Sequence, residues 1–269
     1  MKILTNELIQ KFKNYLYEEE KSYNTIEKYI RDVTAFMIWL CGSEITKAIV
    51  LEYKKSLIDS YAPASINSML SSLNTFFDFC DWHDLKVKTL KIQRQIFADE
   101  KKELTKAEYE RLLKAAKDKK NERLYYLIQT ICSTGIRISE LSYITKEAVF
   151  EGQATIRCKG KLRKVFLPKK LCKMLKNYIK EQGIKNGAIF VSRTGKPLDR
   201  SHIWKMLKSL CEGAGVSKDK VFPHNFRHLF AKTYYSLHKD IVRLADILGH
   251  SSVNTTRLYT IEAVYCKGG

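Results

Sequence analysis

Between residues 24 and 40 the apolar side chains fall at Ile26, Tyr29, Ile30, Val33, Phe36, Met37 and Leu40. These steps of 3, 1, 3, 3, 1 and 3 mark a single stripe on a helix of 3.6-residue period. The same steps return at Ile66, Met69, Leu70, Leu73, Phe76, Phe77 and Cys80. A helix with one continuous apolar stripe must bury it against another element, and two equal stripes can serve as each other's partner. The pattern therefore predicts antiparallel helix pairing in an all-helical first domain. Asn24, with Glu27 three residues on, is the expected cap of the first helix. Pro63 precedes the second, and the polar run Asp81 to Asp84 closes it. Shorter patterns over Leu4–Leu16 and Ile45–Leu57 bring the count to four helices.

From Gln93 to Glu103 the apolar period disappears, and a linker is expected there. Thr105 with Glu108 forms a capping box for the next helix. A stripe of Leu124, Leu127, Ile128 and Ile131 then ends at Ser133-Thr134-Gly135. Next the period changes. Ala154-Thr155-Ile156-Arg157 and Val165-Phe166-Leu167 are β-prone runs flanking Cys158-Lys159-Gly160-Lys161, which predicts a hairpin with glycine at its turn. Pro168 stops the second strand. Ala188 to Val191 is expected to be a third strand, before a Thr194-Gly195 turn. Helical spacing resumes at Ile203, Met206, Leu207 and Leu210. The expected fold is mainly α in two domains, residues 1–92 and 104–269, joined by a linker over 93–103. The second domain is mostly helical with a small three-stranded sheet.

Charge separates the two parts. The whole chain carries a formal net charge of +19 over 269 residues. Residues 1–95 hold 13 Lys/Arg against 12 Asp/Glu, and the remainder hold 35 against 17. Self-repulsion of that size disfavours a compact domain, so a polyanionic partner is the natural reading. Nucleic acid explains it better than an anionic membrane surface or solubility alone. No apolar run approaches the roughly 20 residues of a membrane span, and the acids and lysines of residues 1–20 do not form a secretory signal. Seven cysteines without a CxxC pair argue against zinc and a disulfide framework, and for a reducing, cytoplasmic setting.

The helix expected after Pro223 offers a cluster of polar groups. At 100° per residue Phe226, Leu229, Phe230, Thr233 and Leu237 gather on one side, and His224, Arg227 and His228 on the other. His224 and Arg227 can reach one phosphate, near a helix N-terminus that favours anions. A lone HxxR is more often a solvated polar face. Upstream, Thr134-Gly135-Ile136-Arg137-Ile138-Ser139-Glu140 supplies a second arginine; a surface ion pair with Glu140 is the plain reading, and a combined one has Glu140 as the partner that orients Arg137. Two guanidinium forks can hold both non-bridging oxygens of a phosphodiester.

Taken in order, Thr134 to Glu140, Lys159 in the hairpin, His224-Asn225-Phe226-Arg227-His228, Leu248-Gly249-His250-Ser251-Ser252 and Tyr259 resemble the tyrosine recombinases of the phage integrase family. The similarity covers nearly the whole chain, since residues 1–95 also resemble that family's helical core-binding domain. Its size is most like the Xer-type and simple transposon or integrative-element members. Phe226 stands where the family commonly has leucine, which alters packing and not chemistry.

The resemblance implies a site-specific recombinase that acts on double-stranded DNA. A homotetramer would pair two sites and exchange strands through a Holliday junction. It implies that Tyr259 attacks a phosphodiester to give a 3′-phosphotyrosine. Arg137 and Arg227 would clamp the phosphate, His224 would act as base, and Lys159 would protonate the departing 5′-oxygen. His250 would donate to a non-bridging oxygen, and Glu140 and His228 would support these groups. No metal, nucleotide or other cofactor is implied. Lys161 is the rival to Lys159, and Tyr265 to Tyr259. A type IB topoisomerase-like enzyme and a non-catalytic DNA-binding regulator remain the alternative functions. Ten residues follow Tyr259, where similar proteins often continue into a helix that docks on a neighbouring subunit.

Overall fold

The computed structural model describes residues 2–92, 102–158, 161–192, 194–250 and 252–257. It divides into two compact units, Met1–Arg94 and Gln95–Gly269. The first unit is built from α1 (Asn6–Glu18), α2 (Tyr23–Leu40), α3 (Lys47–Ser60) and α4 (Pro63–Phe79). Thr5 and Thr46 cap α1 and α3, their hydroxyls accepting from the N–H groups of Leu8 and Ile49. α2 starts earlier than expected. Ser22 is its cap in extended backbone, and its carbonyl accepts from Thr25 and Ile26 N–H, which places Asn24 inside the first turn. Pro63 is the first residue of α4, where its missing N–H costs nothing.

Both stripes are buried, α2 packing along α4 with Ile26, Val33 and Phe36 against Leu70, Leu73 and Phe77. Each such side chain contributes roughly 1.5–3 kcal/mol by leaving water. One charge interrupts this apolar face. Asp32, 4% exposed, accepts from Lys28 Nζ at 2.6 Å and from Ser72 Oγ at 2.8 Å, and so ties α2 to α4. Lys28 also donates to Ser68 O and Ser72 Oγ, and Arg31 reaches the other Asp32 oxygen at 3.3 Å.

The second unit opens with α5 (Lys106–Asp118), whose Thr105–Glu108 capping box is formed as expected. α6 (Glu122–Thr134) ends at Gly135 in the left-handed conformation, and a 3-10 turn covers Ile138–Tyr143. α7 (Lys146–Glu151) leads into β1 (Gln153–Cys158) and β2 (Lys161–Phe166), an antiparallel pair whose register runs from Gln153 opposite Phe166 to Cys158 opposite Lys161. Then come α8 (Lys169–Glu181), α9 (Arg200–Lys208), α10 (Cys211–Ala214), α11 (Pro223–His238), α12 (Ile241–Leu248) and α13 (Val253–Arg257). α6 packs against both α8 and α11, and its buried face of Leu124, Leu127, Ile128 and Ile131 lies in the main core.

Among the described residues the sheet has two strands, not three. The run from Ala188 to Val191 makes only single bridges, Thr145 to Ala188 and Val191 to Pro197. Its two ends pair with different segments, and Pro197 has no N–H to extend a ladder. The β-prone residues Ile189 and Phe190 are buried core side chains instead. Most of the expected linker, residues 93–101, lies outside the described residues. Among the described residues no helix is long and apolar enough to cross a membrane.

Candidate active site

Three local structures in the second unit bring together Arg137, Glu140, His224, Arg227, His228 and His250 of the predicted residues. The first is the end of α6. Gly135 turns the chain at φ +63°, a conformation that favours glycine, and a Cβ there would lie 2.5 Å from Phe230 and 2.8 Å from Leu248. The turn aims Arg137 at the start of the 3-10 segment. Glu140 then closes back on Arg137, its carboxylate accepting from the Arg137 backbone N–H and from Nη1, both at 2.9 Å. Glu140 is 2% exposed, so the pair is not a surface ion pair. Burial works against its charge, yet the Arg137 N–H, the Arg163 charge and the Arg137 fork outweigh it and hold the carboxyl below its usual range.

The second structure is α11, and here the division into an apolar and a solvated face fails. Arg227 is 2% exposed and Phe226 is fully buried beside it, whereas Leu237 is 73% exposed. A buried guanidinium persists only if its donors are satisfied. Arg227 donates from Nη1 to Gly135 O at 2.5 Å, and from Nη2 to Leu248 O at 2.6 Å and His250 Nε2 at 3.0 Å. Arg227 therefore bolts α11 to the ends of α6 and α12, which helical periodicity could not reveal. His224 lies in the first turn of α11 and is exposed at the mouth of the site. Burial of its inner side, then Arg227, Arg137 and Arg200, lower its pKa below the ordinary imidazole value.

The third is the turn after α12, where Gly249 sits at φ +63° and Gly249 O accepts from Arg137 Nη2 at 3.3 Å. His250 follows. Arginine can only donate, so His250 Nε2 is the acceptor, and Nδ1 carries the proton to Thr256 Oγ1 at 2.8 Å. Burial first, then Arg227 and Arg137, pull His250 down to about 4. His228 packs edge-on against His224 at 4.7 Å between ring centroids, and burial with the charges around it lowers its pKa to about 3. His228 and His250 are thereby held neutral at physiological pH.

Arg137, His224 and Arg227 thus line one cavity of about 420 Å³, together with Arg200, Pro223 and Ser139, while His250 stands beside Arg227. Lys159, Tyr259 and Tyr265 lie outside the described residues, and of Lys161 only the backbone is described. Three residues escaped the sequence reading. Arg163 bridges Glu140 and Ile247 O; its signal was a charge on the same inward face of β2 as Val165. Arg200 enters the cavity at the start of α9, just after the capping Asp199. Thr256 is fully buried on α13.

A pocket of this kind, lined by two fixed guanidinium forks and a neutral imidazole, suits a phosphate that gains charge during reaction. Comparison with known proteins agrees. Residues 102–264 match the phage integrase family, and residues 9–83 match the phage integrase N-terminal SAM-like domain. Tyrosine recombinase XerA of Pyrococcus furiosus is 32% identical over 270 residues, covering 96% of this chain and 91% of the relative. XerA of Thermococcus kodakarensis is 30% identical over 266 residues, covering 95% and 90%. Among solved structures, a XerA recombinase crystal structure matches over 98% of both chains at TM-score 0.54 and 28% identity. A lambda integrase dimer bound to a COC′ core site matches at TM-score 0.78 over 96% of this chain and 95% of that one, its 18% identity speaking for the fold alone. With sequence matches over both units and the pocket in the second, the chain belongs to the phage integrase family, as a tyrosine recombinase.

Proposed function

We propose that this protein cuts and rejoins double-stranded DNA at specific sites through a 3′-phosphotyrosine on Tyr259. The observation that carries the assignment of roles is the convergence of Arg137, His224 and Arg227 on one cavity, each arginine braced by backbone carbonyls. Bracing matters because a donor already aimed at the reacting phosphate need not reorganise when charge develops there.

In this reading the Tyr259 hydroxyl attacks the phosphorus in line. Its phenol, of pKa about 10, is a weak nucleophile at neutral pH and needs a base. His224, kept neutral by burial and three arginines, accepts that proton. Arg137 and Arg227 take the two non-bridging oxygens and offset the charge of the five-coordinate phosphorus. The bond to the 5′-oxygen then breaks, and that oxygen takes a proton from Lys159. Reversal with the 5′-hydroxyl of another strand rejoins DNA, the phosphotyrosine having kept the bond energy. His250 serves a non-bridging oxygen once its proton sits on Nε2. The Thr256 hydroxyl can donate or accept, so it supports either ring tautomer.

Residues 1–92 act as the DNA-clamp domain, 93–103 as the linker and 104–269 as the catalytic domain. The positive charge of the second part supports the phosphate backbone as partner. A homotetramer on two paired sites is supported by the matching lambda integrase tetramer bound to a Holliday junction. The cytoplasm is the natural setting, given seven cysteines without paired spacing.

The test is a nicked suicide substrate that traps the covalent intermediate. The protein should yield an adduct on the 3′ side of the break and Tyr259→Phe none. An adduct that survives this change sinks the nucleophile assignment, and supercoil relaxation without recombinant product would move the reading to a topoisomerase.

A further inference from the structure

The hairpin strand β2 contributes a side chain to the phosphate site that none of the assigned roles uses. Arg163 stands opposite Ile156 in the register, on the inward face, and its side chain is only 17% exposed. Nη2 donates to Glu140 Oε2 at 2.5 Å, and Nη1 donates to Ile247 O at 2.5 Å. Its stem runs under the turn after α12, so closely that a Cβ on Gly249 would lie 2.6 Å from Arg163 Cδ and 2.9 Å from Nε. One guanidinium therefore touches two structures that the clamp needs.

On one side is Glu140, whose Oε1 accepts from Arg137 Nη1 and whose Oε2 accepts from both the Arg137 backbone N–H and Arg163 Nη2. With Arg163 gone, Glu140 would be a buried carboxylate with half its compensation, free to turn further toward Arg137 or to take a proton. On the other side is the last turn of α12. Its carbonyls at Leu248 and Gly249 receive Arg227 and Arg137, and His250 follows directly. A fork on Ile247 O fixes the carbonyl immediately before these acceptors.

We infer that Arg163 is a positioning residue for DNA cleavage, holding both arginines of the phosphate clamp by bridging Glu140 to the carbonyl end of α12. It touches the reacting phosphate only through those groups. Because Arg163 follows Lys159 by four residues on the same hairpin, it also fixes β2 to the clamp to which Lys159 must deliver a proton. This inference rests on the recombinase reading for its catalytic consequence, but its structural core can be measured without catalysis.

The experiment compares the full chain with Arg163→Met and Arg163→Lys. Hydrogen exchange in the DNA-free protein reads the turn after α12, where Gly249 and His250 N–H donate to Asp246 O and Ala245 O. Arg163→Met should lose protection at these amides while α8 keeps its own, and unchanged protection at residues 247–250 overturns the inference. On a nicked DNA site, single-turnover adduct formation should fall on the order of 10²-fold in Arg163→Met, the cost of displacing a reacting group by about 1 Å. DNA affinity should change less than threefold, and Arg163→Lys should recover part of the rate. Equal losses in affinity and rate would make Arg163 a phosphate anchor and refute positioning. Millimolar guanidinium should raise the rate of Arg163→Ala by refilling the space beside Glu140, which a merely structural defect would not allow. If the wild-type protein forms no adduct, the recombinase reading fails, whereas the exchange result still decides the bridge.

Discussion

Gly135 is where backbone geometry and the proposed phosphate site meet, so Gly135→Ala tests both. The residue lies at φ +63°, and an added Cβ would fall 2.5 and 2.7 Å from two atoms of the Phe230 ring and 2.8 Å from Leu248 Cδ2. A left-handed alanine costs roughly 1–2 kcal/mol. Forcing a methyl into a filled space costs roughly 1–3 kcal/mol more, less if the ring can turn aside. Gly152 provides the control. It too has positive φ, +76°, but nothing stands within 4 Å of its Cβ position. Gly152→Ala should therefore lose only the conformational cost, about 1–2 kcal/mol. Urea unfolding would be followed by Trp204 fluorescence after Trp39 and Trp82 are changed to phenylalanine, so that the signal reports the second unit. Gly135→Ala should exceed Gly152→Ala by about 1–3 kcal/mol. Because Gly135 O accepts from Arg227, adduct formation should also fall at least tenfold under conditions where the variant is folded. Equal destabilisation of the two variants, with cleavage intact, would refute the tight seat described for Gly135.

Other perturbations follow from single groups. His228 and His250 are held neutral, at about 3 and about 4, against an ordinary value of 6.5. The unfolded chain binds protons first, so stability is full above pH 6.5 and declines as pH falls toward 4 and then 3; a flat unfolding free energy over that range would contradict their burial. Asp32→Ala should destabilise the first unit by about 2–4 kcal/mol, because Lys28 and Ser72 lose their shared acceptor, while Arg227 chemistry is untouched. Thermal unfolding of residues 1–92 measures it, and a loss below about 0.5 kcal/mol would show the network to be dispensable. Arg200→Gln removes one of the cations that depress His224, so the His224 pKa should rise and the acid limb of the cleavage profile should move to higher pH. A profile unmoved or shifted to lower pH counts against His224 as the base.

The elements legible from sequence were those whose cause is local. The stripes of α2 and α4 and the capping box at Thr105 are written in short-range spacing, and the glycine that ends α6 is placed by the end of its stripe. Ala188 to Val191 misled because β-branched and aromatic residues fit a buried loop as well as a strand, and only a neighbouring edge decides between them. The arginines divide in the same way. The resemblance singled out Arg137 and Arg227, but a helical wheel placed Arg227 toward solvent, since it counts no acceptors beyond its own helix.

By itself, then, the sequence determined two helical units, a basic second part, a hairpin and the order of the reactive residues, all consequences of periodicity, turn chemistry and charge. Only the tertiary structure decided how the candidate site is held. Arg227 is buried because carbonyls from the ends of α6 and α12 converge on it, and Arg163 enters because a strand register faces it toward Glu140. These acceptors are 92, 21 and 23 residues away in sequence. Backbone carbonyls are present at every residue, so no pattern of side chains can mark the two that the fold brings to the Arg227 guanidinium.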